Sequence, residues 1–153
     1  VKTGPVVSKP TEYEAFFSPD GGCAQAVVHW IGKANRSIHV LIYSFTLNMI
    51  AEALISAHER GVQVQIVFET SQISEYSQYT RIKNAGIDIR NDTNSALMHN
   101  KVAIVDGSIV LTGSFNWSKS GESSNNENLI VIHDVRVASA YEQEFQNIWN
   151  QSI

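Results

Sequence analysis

Asp106-Gly107 constrains this chain more than any other pair of neighbours. It separates two runs rich in β-branched residues, Val102-Ala103-Ile104-Val105 and Ile109-Val110-Leu111-Thr112, and Asp-Gly in that setting is the strongest short-range hairpin signal. With Asp106 and Gly107 as a two-residue loop, Val105 faces Ser108 and the ladder sets Ser114 opposite His99, Asn116 falling one pair beyond. A slip of one residue sets Asn116 opposite His99 and Ser114 opposite Lys101 instead. Either register gathers His99, Lys101, Ser114 and Asn116 at one end of one hairpin.

The same arithmetic separates Asp106 from that group. On a strand rising about 3.3 Å per residue, Asp106 lies roughly 20 Å from His99, too far to orient its imidazole. Its expected role is structural, holding the turn through its side chain beside Gly107. His99 and Lys101 are i and i+2, so they project from one face about 6.5 Å apart. A nucleophile or base beside a fixed cation suits a phosphoryl transition state.

Size and composition bound the rest. A chain of 153 residues with 43% hydrophobic content suits a single soluble globular domain with a real core. No apolar run approaches the ~20 residues of a membrane span, so no stable membrane insertion is expected. The first residue is Val1 rather than Met, which points to a processed or trimmed product and leans towards an exported or periplasmic protein whose signal is gone. The single cysteine, Cys23, excludes an intrachain disulfide and any multi-cysteine zinc site; a small buried apolar residue is the expected role. A net charge of −4 with scattered Lys and Arg argues against a passive nucleic-acid binder, so affinity for phosphate must be local.

Along the chain, residues 1–10 read as a flexible arm and 11–153 as one domain. A strand over Glu12 to Ser18 ends at Pro19-Asp20-Gly21-Gly22 and leads into a helix from about Cys23 to Ala34. Ser37 to Ser44 is apolar enough for a strand covered on both faces. Thr46 is the expected N-cap of a helix carrying Leu47, Ile50, Ala51, Leu54 and Ile55, with Gly61 after its end. Val62 to Phe68 is the next strand, making a right-handed parallel crossover. A helix near Glu75 to Ala85 and a strand near Ile87 to Arg90 repeat the unit, and a polar loop over Asn91 to Ala96 leads into the hairpin. Lys119 to Asn126 reads as a loop and Asn128 to His133 as a strand. Asp134 caps a last helix with Val137, Ala138, Tyr141, Phe145, Ile148 and Trp149 on one stripe. The fold class is therefore α/β, a mixed central β-sheet sandwiched by helices on both faces.

His99-x-Lys101-x4-Asp106, followed by Gly113-Ser114-x-Asn116, resembles the HKD signature of the phospholipase D superfamily, and most of all its small single-motif bacterial endonucleases of the Nuc type. Ile42-Tyr43-Ser44-Phe45-Thr46, the Arg60-Gly61-Val62 junction and Asn126-Glu127-Asn128 extend the likeness, which runs from about Tyr13 to Trp149.

This points to hydrolysis of phosphodiesters in nucleic acid, DNA or RNA, with His99 as nucleophile and a covalent phosphohistidine. A second imidazole must protonate the leaving alkoxide and then activate water. No other histidine sits in a matching motif, so the natural donor is His99 of a second copy, as the resemblance also implies. A homodimer sharing one active site across a two-fold axis follows. Lys101 and Asn116 would hold the non-bridging oxygens, with the Ser114 hydroxyl as helper. With paired lysines supplying the charge, no metal and no cofactor is expected. Glu127, where the resemblance puts an acid, is the candidate to orient His99.

Two further residues are candidates for lining the cleft. Ser44 ends a strand where α/β folds place ligands, and Trp117 is read either as stacking a base or lining an interface, or as plain core packing. His29, His39, His58 and His133 are expected on helix and strand surfaces, with no metal-pair spacing. Two other classes compete. A lipid-directed phosphodiesterase would use the same residues beside an exposed apolar rim or amphipathic anchor. A non-catalytic nucleic-acid-binding module would need a basic or aromatic-interleaved surface.

Overall fold

Among the described residues, seven strands, most of them rich in β-branched or aromatic residues, and five α-helices follow in the order β1 (Glu12–Ser18), α1 (Cys23–Lys33), β2 (Ser37–Ile42), α2 (Asn48–Glu59), β3 (Gln63–Phe68), α3 (Tyr79–Asn84), β4 (Asp88–Asn91), β5 (Lys101–Val105), β6 (Ile109–Gly113), α4 (Lys119–Ser123), β7 (Glu127–His133) and α5 (Val135–Gln151). The structure is a computed structural model describing residues 11–153; the arm expected over residues 1–10 lies outside the described residues. All the strands join one sheet in the order β1-β7-β6-β5-β2-β3-β4. The β2, β3 and β4 pairings are parallel, and β2 then pairs antiparallel with β5. That last pairing lays the exit of β2 against the entry of β5, with Ile42 opposite Lys101.

Period-two alternation divides the core. Val40, Ile42, Ile66, Ala103 and Leu111 face α1 and α2, while Leu41, Val67, Val102, Ile104 and Val110 face Phe145 and Trp149 of α5. The chain is thus an α/β sandwich of one mixed sheet with helices on both faces. At roughly 25 cal/mol per Å² of buried apolar surface, these two layers supply most of the driving force.

The hairpin forms, with a register that neither expectation describes. Asp106 and Gly107 both take positive φ, 54° and 62°, and the Ser108 N–H donates to the Val105 carbonyl at 3.0 Å. Pairing then resumes with Val105 opposite Ile109, so Ser108 is an extra residue in the loop. The sliding of one position continues to Val102 opposite Thr112. Asp106 explains the tolerance for this turn. Its carboxylate accepts from the backbone N–H groups of Asn35, Arg36 and Ser37 at 2.7–3.1 Å, stapling the hairpin tip to the start of β2. Burial opposes the charge, but these bonds and the Arg36 guanidinium outweigh it and hold the Asp106 pKa below its ordinary value.

Four local expectations are corrected. Thr46 does not cap α2: its N–H donates to the Trp117 carbonyl at 2.8 Å, and the helix begins at Asn48 with no side-chain cap. The helix expected over Glu75 to Ala85 is confined to Tyr79–Asn84, because Ser74 and Ser77 bond one another in a turn. The loop expected over Lys119 to Asn126 contains α4, whose N-terminus is capped by the Ser118 hydroxyl accepting from Gly121 N–H at 3.1 Å. His39 is not a surface residue; it is 8% exposed, stacked on Phe145 at 4.5 Å with Nδ1 2.6 Å from Glu142. Cys23 is buried as expected. Burial, then the Glu122 charge, pushes its thiol pKa up to about 11.

Candidate active site

Strand ends converge at one rim of the sheet. Ile42 lies opposite Lys101, Gly113 opposite Leu129, and Glu127 opens β7 opposite Ser18. This rim is also the carboxyl end of the parallel strands, the position at which open α/β sheets hold ligands.

His99 is exposed just before β5, and Lys101 is half-buried at its first position. The Lys101 ammonium lies 3.0 Å from Nδ1 and 3.3 Å from Nε2 of His99, and donates to the His99 carbonyl at 2.8 Å. Tyr43, at the exit of β2, completes the cluster. Its ring meets the imidazole edge-on at 4.5 Å and lies 5.2 Å beneath the Lys101 ammonium. Its hydroxyl accepts from Gln72 Nε2 at 3.2 Å. Tyr43 stands in the 42–46 stretch with no role expected of it; an aromatic beside a strand-end serine is the signal the sequence offers.

Asn116 is brought to this rim by main-chain zippering between two exit loops. Trp117 N–H donates to Ser44 O at 3.1 Å, and Thr46 and Leu47 N–H groups donate to Trp117 O. The Ser44 N–H donates to Asn116 Oδ1 at 3.2 Å. With its oxygen so engaged, the Asn116 amide offers Nδ2, which has no protein acceptor among the described residues. Ser44 therefore enters the site as the backbone donor that orients Asn116. The glycine at 113 is required: it takes φ 147°, and a Cβ there would meet the Asn128 carbonyl at 2.3 Å.

Within one chain Ser114 and Glu127 are placed otherwise than expected, and the open reading of Trp117 is decided. Ser114 is turned towards Asn128, whose N–H and Nδ2 both donate to its hydroxyl at 3.1 and 3.3 Å. That makes it a loop clamp in this chain. Trp117 is 2% exposed and packed edge-on against Phe45 at 5.1 Å, so core packing is its role and base stacking is excluded by its burial. Glu127 makes its hydrogen bond with Asn125 at 3.3 Å, and none with His99 of the same chain. Its influence falls on Lys101. Burial lowers the Lys101 pKa from the ordinary lysine value, and the Glu127 charge pushes back against that.

Among the described residues no group of His, Cys, Asp and Glu has the arrangement to hold a metal ion, and no helix is long and apolar enough to cross a membrane. What the rim presents is an exposed imidazole, an ammonium and an amide N–H, three groups suited to attack at phosphorus and to charge on its oxygens.

Comparison with known proteins agrees with this chemistry. Residues 27–149 match the family described as "Cardiolipin synthase, PLD-like domain". The solved structure of Nuc, a phospholipase D family member from Salmonella typhimurium, superposes with a TM-score of 0.89 at 36% identity, covering 94% of this chain and 97% of that one. A mitochondrial cardiolipin hydrolase from Xenopus tropicalis is 35% identical over 120 residues, 78% of this chain and 57% of that protein. A phospholipase D from Rickettsia prowazekii is 38% identical over 130 residues, 84% of this chain and 63% of that protein. The chain thus spans less than two thirds of the length of these two curated relatives.

Proposed function

From the premise that the chain belongs to the phospholipase D superfamily, we propose that it is a metal-independent phosphodiesterase, an endonuclease that hydrolyses DNA or RNA through a phosphohistidine. The observation that carries this reading is the His99–Lys101 pair at the rim, an exposed ring nitrogen 3.0 Å from a half-buried ammonium.

A neutral His99 ring nitrogen attacks phosphorus in line with the leaving oxygen, forming an N–P bond as the P–O ester bond breaks. A second imidazole gives its proton to the departing alkoxide. The now neutral second imidazole takes a proton from water, whose oxygen attacks phosphorus and breaks the N–P bond. His99 leaves as free imidazole and the phosphate monoester is released, so the cycle closes without redox change. The second imidazole is His99 of another copy across a two-fold axis. His39 cannot serve, being buried against Phe145 and Glu142. Lys101 and Asn116 Nδ2 hold the non-bridging oxygens, where an oriented donor is worth about 10²–10³ in rate.

Purified protein, incubated with chelator against single-stranded DNA, duplex DNA, RNA and cardiolipin vesicles, tests the reading, with His99→Ala as control. Cleavage of nucleic acid that His99→Ala abolishes is expected. Cleavage of none of the polynucleotides overturns the nuclease reading.

A lipid substrate is the second reading, favoured by the names of the Xenopus and Rickettsia relatives and by Tyr13 and Phe17, each 64% exposed on β1. The same chemistry applies to a glycerophosphodiester, and the vesicle arm decides between the two.

A further inference from the structure

Glu69 follows the last residue of β3 at the same rim and is only 3% exposed. A carboxylate so far from water needs donors. It has three: the Ser71 N–H at 3.1 Å, the Ser71 hydroxyl at 2.7 Å and the Met98 N–H at 2.6 Å. The last bond crosses from one loop to another, and Met98, 3% exposed, is the residue directly before His99.

A second acid lies against the first. Asp92, 8% exposed, is near enough for its carboxyl and that of Glu69 to act on one another's ionisation. Its Oδ1 accepts from Asn94 N–H at 2.8 Å and its carbonyl from the Thr70 hydroxyl at 2.6 Å. Two carboxyl groups can share a hydrogen bond only if one keeps a proton. Burial, reinforced by Glu69, raises the Asp92 pKa. Burial opposes ionisation of Glu69 as well, but the Ser71 and Met98 bonds outweigh it and lower its pKa. The two shifts are opposed, so Asp92 is the member of the pair that holds a proton more tightly. No Lys, Arg or His pairs with either carboxyl among the described residues. The other titratable groups at this rim are Glu127 at the entry of β7, Glu144 of α5, which lines a cleft with Asp92, Tyr43, held by Gln72 of the turn after Glu69, and His99 and Lys101.

We propose that Glu69 and Asp92 form a positioning pair for the nucleophile: their shared proton lets Glu69 grip the Met98 N–H, and this fixes where the 92–98 loop delivers His99. The proposal rests on the reading of His99 as nucleophile. When Asp92 ionises, two buried negative charges face each other, the grip on the loop loosens and catalysis falls reversibly as pH rises.

The test pairs kinetics with a signal independent of activity. The Met98 amide proton, donated to a carboxylate over 2.6 Å, should resonate far downfield and should shift as Asp92 titrates above the ordinary aspartate range. Asp92→Asn, whose amide replaces the shared proton with a permanent donor, should remove both that titration and the matching alkaline fall in kcat. Glu69→Gln cannot satisfy Ser71 and Met98 with one oxygen; kcat should fall on the order of 10- to 100-fold with KM unchanged. The fall in kcat/KM that reports Lys101 stays in both proteins. A Met98 resonance that does not titrate, or an Asp92→Asn kcat profile that keeps a fall at the midpoint of that titration, overturns the pair. So does a folded Glu69→Gln with normal kcat. If the wild type cleaves no phosphodiester, the functional reading fails while the Met98 titration stays readable. If it cleaves and Met98 does not titrate, the pair fails alone.

Discussion

The Lys101 ammonium sits within 3.0–3.3 Å of both ring nitrogens of His99 while donating to the His99 carbonyl. In that arrangement the cation occupies the region a ring nitrogen must use to attack phosphorus. A phosphate dianion or diester at the rim offers Lys101 a better acceptor than neutral imidazole. Substrate binding should therefore draw the ammonium onto a phosphate oxygen and expose the ring nitrogen for attack.

His99→Ala should abolish cleavage without altering the fold, because the exposed ring supports no core packing. Lys101→Ala should lower kcat/KM by about 10²–10³-fold, near 2.7–4 kcal/mol, the scale for losing one oriented donor to a developing charge. Steady-state kinetics with chelator present measures both. Near-normal rates for Lys101→Ala would remove the electrostatic account, and a strict need for a divalent ion would remove the metal-free one.

Glu127→Gln tests whether this acid works through Lys101. Burial depresses the Lys101 pKa and the Glu127 charge raises it, so removing the charge lets the ammonium lose its proton at lower pH. The fall of kcat/KM that reports Lys101 should move to lower pH in the variant, with the plateau at neutral pH less affected. A pH–rate profile is the measurement. A uniform loss at every pH would instead mark Glu127 as the partner of an imidazole.

Mixing wild-type and His99→Ala subunits tests the shared site. If each site needs two imidazoles, activity follows the square of the wild-type fraction, and an equal mixture retains about a quarter of full activity. Independent sites would retain about half. Subunits must be exchanged under mild denaturant and the dimer verified by light scattering; a strictly monomeric, fully active protein would refute site sharing outright.

How far the sequence could be read depended on how local the governing interaction was. The Asp106-Gly107 turn, the amphipathic stripe of α5 and the parallel β2–α2–β3 unit follow from neighbours a few residues apart, and all were legible. Their sum placed His99, Lys101 and Asn116 at one rim. The ladder register was not legible, because the staple from Asp106 to residues 35–37 holds a loop one residue longer than Asp-Gly alone requires. Trp117 was ambiguous for a similar reason. Only its pairing with the loop after Ser44 decides that it turns inward. Glu69 gave no signal at all, since a lone glutamate after a strand reads as a solvated loop until Met98 and Asp92 are seen to lie against it.

Asp106→Ala should separate stability from chemistry. The side chain lies at the far end of β5 from the rim and spends its charge on backbone N–H groups of residues 35–37. Hydrogen bonds to a charged group are worth about 1.5–3 kcal/mol when well shielded, and this partly exposed set should supply the lower end, roughly 1–2 kcal/mol. Because the folded Asp106 pKa is lowered, its stabilisation is present above the ordinary aspartate value near 3.9 and is lost as pH falls through the folded value. Denaturant unfolding should therefore show the variant weaker than wild type at neutral pH, with the gap closing under acid. Its kcat/KM at a temperature where both are folded should equal that of wild type. A large loss of activity at full stability would mean that the aspartate of the motif acts on the chemistry after all.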